Sequence, residues 1–221
     1  MSTLLQFAFY YSKPETVAKW KIQPQRKESL AEAGSWWLPL LRLKSRHKPL
    51  QWIYCTLNLC TASLFAAVTA ELFLRDKLPL KITGPFWWPL FASCAFQCTA
   101  EYHWHRLLHT KLLYQLMHKT HHLHIAPEPF DDFMVNPVEL AIYQCIFFGP
   151  AFLFEMQLPS FLVYLAIHGV TGIADHSGIN VDIPFFYRSK FHDDHHKLFN
   201  CNFGFPFAFL DHLYGTFRES D

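Results

Sequence analysis

Four stretches of the chain carry no Asp, Glu, Lys or Arg: residues 50–70, 82–100, 140–154 and 156–174, of 21, 19, 15 and 19 residues. A bilayer-spanning helix needs about 20 apolar residues, with a range of roughly 17 to 25. The first, second and fourth stretches meet that length. The third is marginal unless residues 135–138, ahead of Glu139, extend it. A buried helix in a soluble core is also apolar all round, but the lengths here favour the membrane. The connectors at 75–81 and 155–159 are short, so the runs pair. The pattern predicts an all-α fold with four transmembrane helices arranged as two hairpins, both chain ends on one side.

Basic residues set the orientation. Arg42, Lys44, Arg46 and Lys48 stand just before the first run, and the positive-inside rule places that end in the cytoplasm. Arg75, Lys77 and Lys81 in the first connector oppose this, set against Asp76, without reversing it. Trp52 at one end and Trp87 and Trp88 at the other suit interfacial belts. Residues 1–49 read as a cytoplasmic N-terminal segment and 50–221 as a single membrane-integrated catalytic domain. The apolar residues within 1–11 are too few to span and follow no basic region, so they do not read as a signal peptide. Segments 101–134 and 175–221 then fall on the cytoplasmic side, as a helical cap.

Composition narrows the reading. Of 221 residues, 51% are hydrophobic and only 17% charged, where globular chains average about 25% charged. With 23 Phe, 9 Tyr and 7 Trp, the chain is not disordered. A net charge of +1 gives no electrostatic case for nucleic acid. The six cysteines sit mostly in apolar runs and read as buried thiols rather than a disulfide framework.

Histidine is the unusual component. Of 14 histidines only His47 lies in the first 102 residues, and the predicted topology puts all of the later ones except His168 on the cytoplasmic side. Three clusters stand out: His105-x-x-x-His109, His118-x-x-His121-His122 and His192-x-x-His195-His196. Positions i, i+3 and i+4 share a helix face, so several imidazoles of a box can aim at one small volume, and neutral imidazole is the commonest protein metal ligand. Chance supplies roughly 0.05 H-x-x-H-H matches in a chain of this composition, and this one has two.

Eight box histidines suit two metal ions better than one, because a single zinc or iron takes about four to six ligands. Ligand type does not choose among zinc, copper, iron and nickel. No Gly or Pro interrupts residues 90–126; one straight helix there would run about 55 Å. It would turn His105 and His109 away from His118 and His122 at about 100° per residue. A shared site therefore requires a break between Thr110 and Gln115. His176 and His168 are further ligand candidates at the end of the fourth run, since ionisable groups at membrane depth are functional candidates by default. His103 and His124 flank boxes without belonging to them; His47 and His212 read as ordinary histidines. Glu101, Asp175, Asp193 and Asp194 lie beside candidate ligands, where they either orient imidazoles or solvate the surface.

The ordered boxes resemble the fatty acid hydroxylase/sterol desaturase superfamily of membrane di-iron enzymes. The intervals are similar too, with eight residues between His109 and His118 and 69 between His122 and His192. KWKIQP at 19–24 looks like the family's pre-membrane segment. Asp175-His176-Ser177-Gly178 is similar to an element of the sterol 4-methyl oxidase branch. HDDHHKLFNCNFG at 192–204, followed by LDHLYGT at 210–216, resembles the family's C-terminal signature. Asn136-Pro137-Val138-Glu139 departs from the His-Pro-x-Glu of many relatives.

The resemblance implies two iron ions held by His105, His109, His118, His121, His122, His176, His192, His195 and His196, with His168 a tenth candidate; zinc could substitute in a preparation. It implies molecular oxygen as co-substrate and hydroxylation, desaturation or epoxidation of an apolar lipid-like substrate, a sterol, isoprenoid or fatty alkyl entering from the bilayer. No haem-attachment, flavin or nicotinamide motif is present, so electrons come from an external donor such as cytochrome b5 and its reductase. Residence in the endoplasmic reticulum follows from the family alone. Two readings from other classes remain. A metal transporter or storage protein would hold its ligands near the midplane. A zinc-dependent hydrolase would act through metal-activated water and need neither oxygen nor reductant.

Overall fold

The computed structural model describes residues 19–23, 49–127, 131–184 and 186–220. The basic cluster 42–48, His47 and most of the expected N-terminal segment 1–49 lie outside the described residues. The described chain is mostly helical. Its main helices are α1 (Pro49–Leu74), α2 (Trp87–Leu108), α3 (Lys111–Leu116), α4 (Pro137–Phe148), α5 (Pro150–Leu153), α6 (Leu158–Asp175), α7 (Lys190–Leu198) and α8 (Phe209–Tyr214), with 3-10 turns at His118–Leu123 and Asp131–Phe133. The expected all-α class is met in its coarser form: the described chain is mostly helical, and its only strands are four of two residues each. β1 (Leu80–Lys81) pairs in parallel with β2 (Met156–Gln157), and β3 (Asp182–Ile183) pairs antiparallel with β4 (Tyr187–Arg188). In both pairs, short connectors meet other chain segments, and the ladder satisfies backbone groups that no helix could.

Two helices are long and apolar enough to cross a membrane, over Trp52–Leu74 and Leu158–Asp175. No Gly or Pro interrupts α1 after Pro49, and its surface carries Ile53, Leu57, Leu64 and Val68 in exposed positions. The second apolar run begins its helix only at Trp87, after Pro85 and a bend at Gly84, and continues through Glu101 to Leu108. The third forms a helix of 12 residues. Asn136 caps it by accepting from the Val138 N–H at 2.9 Å, with Pro137 in the first turn. Pro150 stops it, having no N–H to continue the ladder.

The connectors at 75–81 and 155–159 meet in the parallel pair, with Leu80 opposite Met156 and Lys81 opposite Gln157. A core of Leu78, Leu80, Leu90, Phe148, Met156, Phe161 and Tyr164 packs around it. α1 packs along α4, and Asn58 of α1, itself fully buried, donates to the carbonyls of Phe133 and Val135, both at 2.9 Å. This fixes the loop that leads into α4.

The long helix breaks where the boxes require it, slightly earlier than expected. α2 ends at Leu108, and Thr110 is extended (φ −69°, ψ 147°). A second bend at Met117 introduces the 3-10 turn. At the other end, Asp211 accepts from the N–H groups of Phe203 (2.8 Å) and Gly204 (2.7 Å) and from the Thr216 hydroxyl (2.6 Å), closing the C-terminal signature on itself. Gly204 has to be glycine: a Cβ there would sit 2.6 Å from both Asp211 Oδ2 and the Phe207 carbonyl. Part of the pre-membrane segment straps this region. Trp20 and Ile22 exchange backbone hydrogen bonds with Asn180 and Gly178, and Gln23 donates to Asp193 at 2.8 Å. All six cysteines are free; Cys55 and Cys201 are buried, but Cys60 and Cys145 are exposed, which corrects the expectation of uniformly buried thiols.

Candidate metal centre

Nine of the ten candidate histidines converge. His105, His109, His118, His122 and His195 form one group, and His121, His176, His192 and His196 a second, with the offered nitrogens of each group within 4.8 Å of one another. Each H-x-x-H-H box contributes to both groups, so these two interlock, while His105 and His109 both join the first. His168 stands outside both. His103 packs instead against Tyr102 and Tyr214, and His212 stacks on Phe217 at 4.0 Å.

The hydrogen bonds at the outer ring nitrogens decide which way the lone pairs point. The Nδ1–H of His105 donates to the Phe203 carbonyl at 3.1 Å, that of His195 to the Cys201 carbonyl at 2.7 Å, and that of His118 to Glu139 Oε1 at 2.6 Å. An acceptor on Nδ1 leaves an unprotonated Nε2 facing inward. In the first group, His118 Nε2 lies 3.1 Å and His195 Nε2 3.0 Å from His122 Nε2. In the second, the Nε2 atoms of His176 and His192 are 2.9 Å apart, those of His192 and His196 3.1 Å, and those of His121 and His176 3.3 Å.

One proton on His122 cannot satisfy the lone pairs that surround it together with the two nitrogens of His109, both buried without a hydrogen-bond partner. A cation can. Metal–imidazole bonds of about 2.0–2.1 Å put neighbouring ligand nitrogens about 2.9 Å apart at right angles and about 3.4 Å apart in a tetrahedron. The observed separations fall in that window, so the residues fit two metal ions.

Electrostatics agree. Burial pushes His105 down to about 4 and His109 to about 2. Burial, then neighbouring imidazoles, hold His118, His121, His122, His192, His195 and His196 below the ordinary imidazole value. All eight are neutral near pH 7, the form that binds a metal.

The four acids suggested as orienting groups do not contact the imidazoles. Glu101 accepts from Gln97, Asp175 from the Tyr187 hydroxyl, Asp193 from Gln23, and Asp194 from Lys190 and Ser220. Nor do three of them solvate the surface, since Asp175, Asp193 and Asp194 are buried; Glu101 is half-buried and lines the cavity described below. The groups that do support the rings are Glu139, backbone carbonyls, and Asp132, whose Oδ1 lies 3.3 Å from His176 Nδ1. Glu139 left a trace in the sequence, as a lone carboxylate just ahead of an apolar run; the carbonyls left none.

A cavity of about 390 Å³ opens beside the two groups. Its lining runs from His105, His118, His121, His176 and His192 to Phe133, Val135, Leu140, Phe147, Phe148 and Phe205. That volume lies in the range of roughly 300–1,000 Å³ usual for small-molecule sites.

Fold and site together define a mostly helical protein with two metal-competent histidine groups at one end of an apolar cavity. The family model described as fatty acid hydroxylase matches residues 90–216, more than half of the chain. The chain belongs to the fatty acid hydroxylase family. Among its relatives, methylsterol monooxygenase 1 of Gallus gallus is 30% identical over 143 residues, covering 60% of this chain and 48% of the relative. C-4 methylsterol oxidase of Schizosaccharomyces pombe is 25% identical over 209 residues, covering 90% and 66%. Lathosterol oxidase of Rattus norvegicus is 32% identical over 119 residues, covering 52% and 40%. The chain spans about half the length of the curated relatives it matches. No solved structure matches significantly.

Proposed function

We propose that this chain is a membrane-bound oxidase that uses two irons to oxidise an apolar, sterol-like lipid with molecular oxygen. One iron is held by His105, His109, His118, His122 and His195, the other by His121, His176, His192 and His196. The observation that carries the reading is the convergence of these two imidazole groups at the end of an apolar cavity. The names of the relatives reported above, two methylsterol oxidases and a lathosterol oxidase, support the substrate class.

When bound, the irons supply dioxygen activation and the oxidising power to remove hydrogen from an unactivated carbon. The chain's own residues do the rest. Glu139 and the carbonyls of Phe203 and Cys201 hold protons on the outer nitrogens, so that the inner lone pairs are fixed before any metal arrives. Phe133, Phe147, Phe148 and Phe205 line the slot with apolar surface and exclude water from the reacting carbon. Cytochrome b5 or a similar carrier supplies electrons, since the chain has no motif for a redox cofactor of its own.

In the membrane, α1 and α6 cross the bilayer and α2 and the α4–α5 pair complete two hairpins. The parallel pairing of their connectors supports this, because it brings both turns to one end of the molecule. The histidine groups then face the cytoplasm as a cap, in the endoplasmic reticulum. A transporter would hold its ligands at mid-membrane; here His105 lies in the last turn of α2 and His176 just past α6.

Purified protein should contain two irons per chain. Supplied with oxygen, NADH, cytochrome b5 and its reductase, it should convert a component of a sterol-rich lipid extract to a product heavier by one oxygen or lighter by two hydrogens. Turnover that persists without oxygen or reductant would point to hydrolysis and refute the oxidase reading.

A further inference from the structure

Among the described residues, one buried histidine lies outside both metal groups. His168, in the middle of α6, is 2% exposed and lines the cavity. Neither of its ring nitrogens has a hydrogen-bond partner. Its ring packs against Tyr164 at 4.7 Å and Phe205 at 5.9 Å. Tyr164 cannot meet it with its hydroxyl, which donates to Gln97 Oε1 and lies 2.9 Å from the Phe147 carbonyl. A buried imidazole must donate or accept something, and leaving it unmet is unfavourable.

The space beside it is open. Gly169 and Gly172 also line the cavity, and a Cβ on Gly169 would meet nothing within 4 Å. A small rotation of the ring, of the kind common on ligand binding, turns a nitrogen into that space. His168 on α6 stands eight residues before His176, just past that helix, and Gln97 stands eight before His105 on α2. Two helices thus place the His168 level about 12 Å of helix rise from the metal-facing end of the cavity.

We propose that His168 is a specificity-determining residue that hydrogen-bonds the one oxygen of an otherwise apolar lipid, a hydroxyl or oxo group, in the part of the cavity away from the metal groups. The inference rests on the lipid-oxidase reading and deepens it. It commits the substrate to carrying its oxygen about 12 Å from the carbon that is oxidised. A sterol oxidised on a methyl group at C4 has its 3-oxygen only a few bonds from that methyl, so it cannot present the methyl to the metal groups and that oxygen to His168. The substrate is therefore oxidised remotely from its polar end.

The test uses the iron-loaded full chain in nanodiscs, as wild type, His168→Leu and His168→Gln. Equilibrium binding is measured for two probe pairs differing only in the oxygen: 5α-cholestan-3β-ol and 5α-cholestane, and 1-hexadecanol and hexadecane. The wild type should bind at least one alcohol about tenfold more tightly than its hydrocarbon, the worth of one buried hydrogen bond. His168→Leu should erase that preference, keep its hydrocarbon affinity and keep wild-type iron. His168→Gln, which retains a donor and an acceptor, should restore part of the preference.

An alcohol preference unchanged in His168→Leu, or no preference in the wild type, overturns the role of His168 and leaves the lipid reading standing. Loss of iron in His168→Leu also overturns it, because the residue would then be a metal ligand. Failure of the wild type to bind any of the four probes overturns the lipid reading and this inference together.

Discussion

Glu139→Gln tests whether the site is pre-oriented. Glu139 is fully buried, and its Oε1 accepts from His118 Nδ1 at 2.6 Å. The amide keeps the size and an acceptor oxygen but cannot carry the negative charge that a bound cation favours on Glu139. A hydrogen bond to a charged partner is worth about 1.5–3 kcal/mol. At about 1.4 kcal/mol per factor of ten, its loss should weaken metal binding roughly 10- to 100-fold, the usual effect of removing a group that supports a ligand. His118 belongs to only one group, so the loss should fall on one metal site. Iron per chain, measured by mass spectrometry after timed dialysis against a chelator, should drop from two towards one, with the second iron as slow to leave as in the wild type. Circular dichroism should show the helices intact. Wild-type retention of both irons would refute the orienting role; equal loss of both would refute the division into two separate groups.

Two further outcomes follow from the geometry. Gly204→Ala places a Cβ 2.6 Å from Asp211 Oδ2 and the Phe207 carbonyl, and should cost about 1–3 kcal/mol as in other overpacked sites; an unchanged thermal midpoint would contradict the close approach. The metal-free protein should lose stability as pH falls below about 6.5, because the unfolded chain takes up protons there while burial keeps His105 neutral down to about 4. For His105 the effect reaches up to about 2 kcal/mol at pH 5. Thermal unfolding in chelator at pH 7.5, 6 and 5 measures it, and a midpoint that rises on acidification would show that the imidazoles are not buried as described.

The sequence alone carried the chemistry of this protein. Three histidine boxes at helical spacing are too improbable to be accidental, and a rigid helix with 3.6 residues per turn cannot aim the first two at one place, so a break had to lie between them. The observed one, at His109 and Thr110, falls beside the stretch that this periodicity required. Apolar run lengths found α1 and α6, because spanning length is a property of a continuous segment.

Tertiary structure decided how the imidazoles divide. His118 and His122 join one group and His121 the other, while His195 separates from His192 and His196 in the same way. That division depends on how α2, α6, α7 and the 3-10 turn are tilted against one another, which spacing within any one box does not encode. It also chose the supports. The acids adjacent in sequence turned elsewhere, and Glu139, Asp132 and two main-chain carbonyls took the positions next to the rings. His168 changed from a tenth ligand candidate to an unpaired group in the cavity wall for the same reason: the sequence lists which atoms can bond, but only the folded chain brings two of them within a bond's reach.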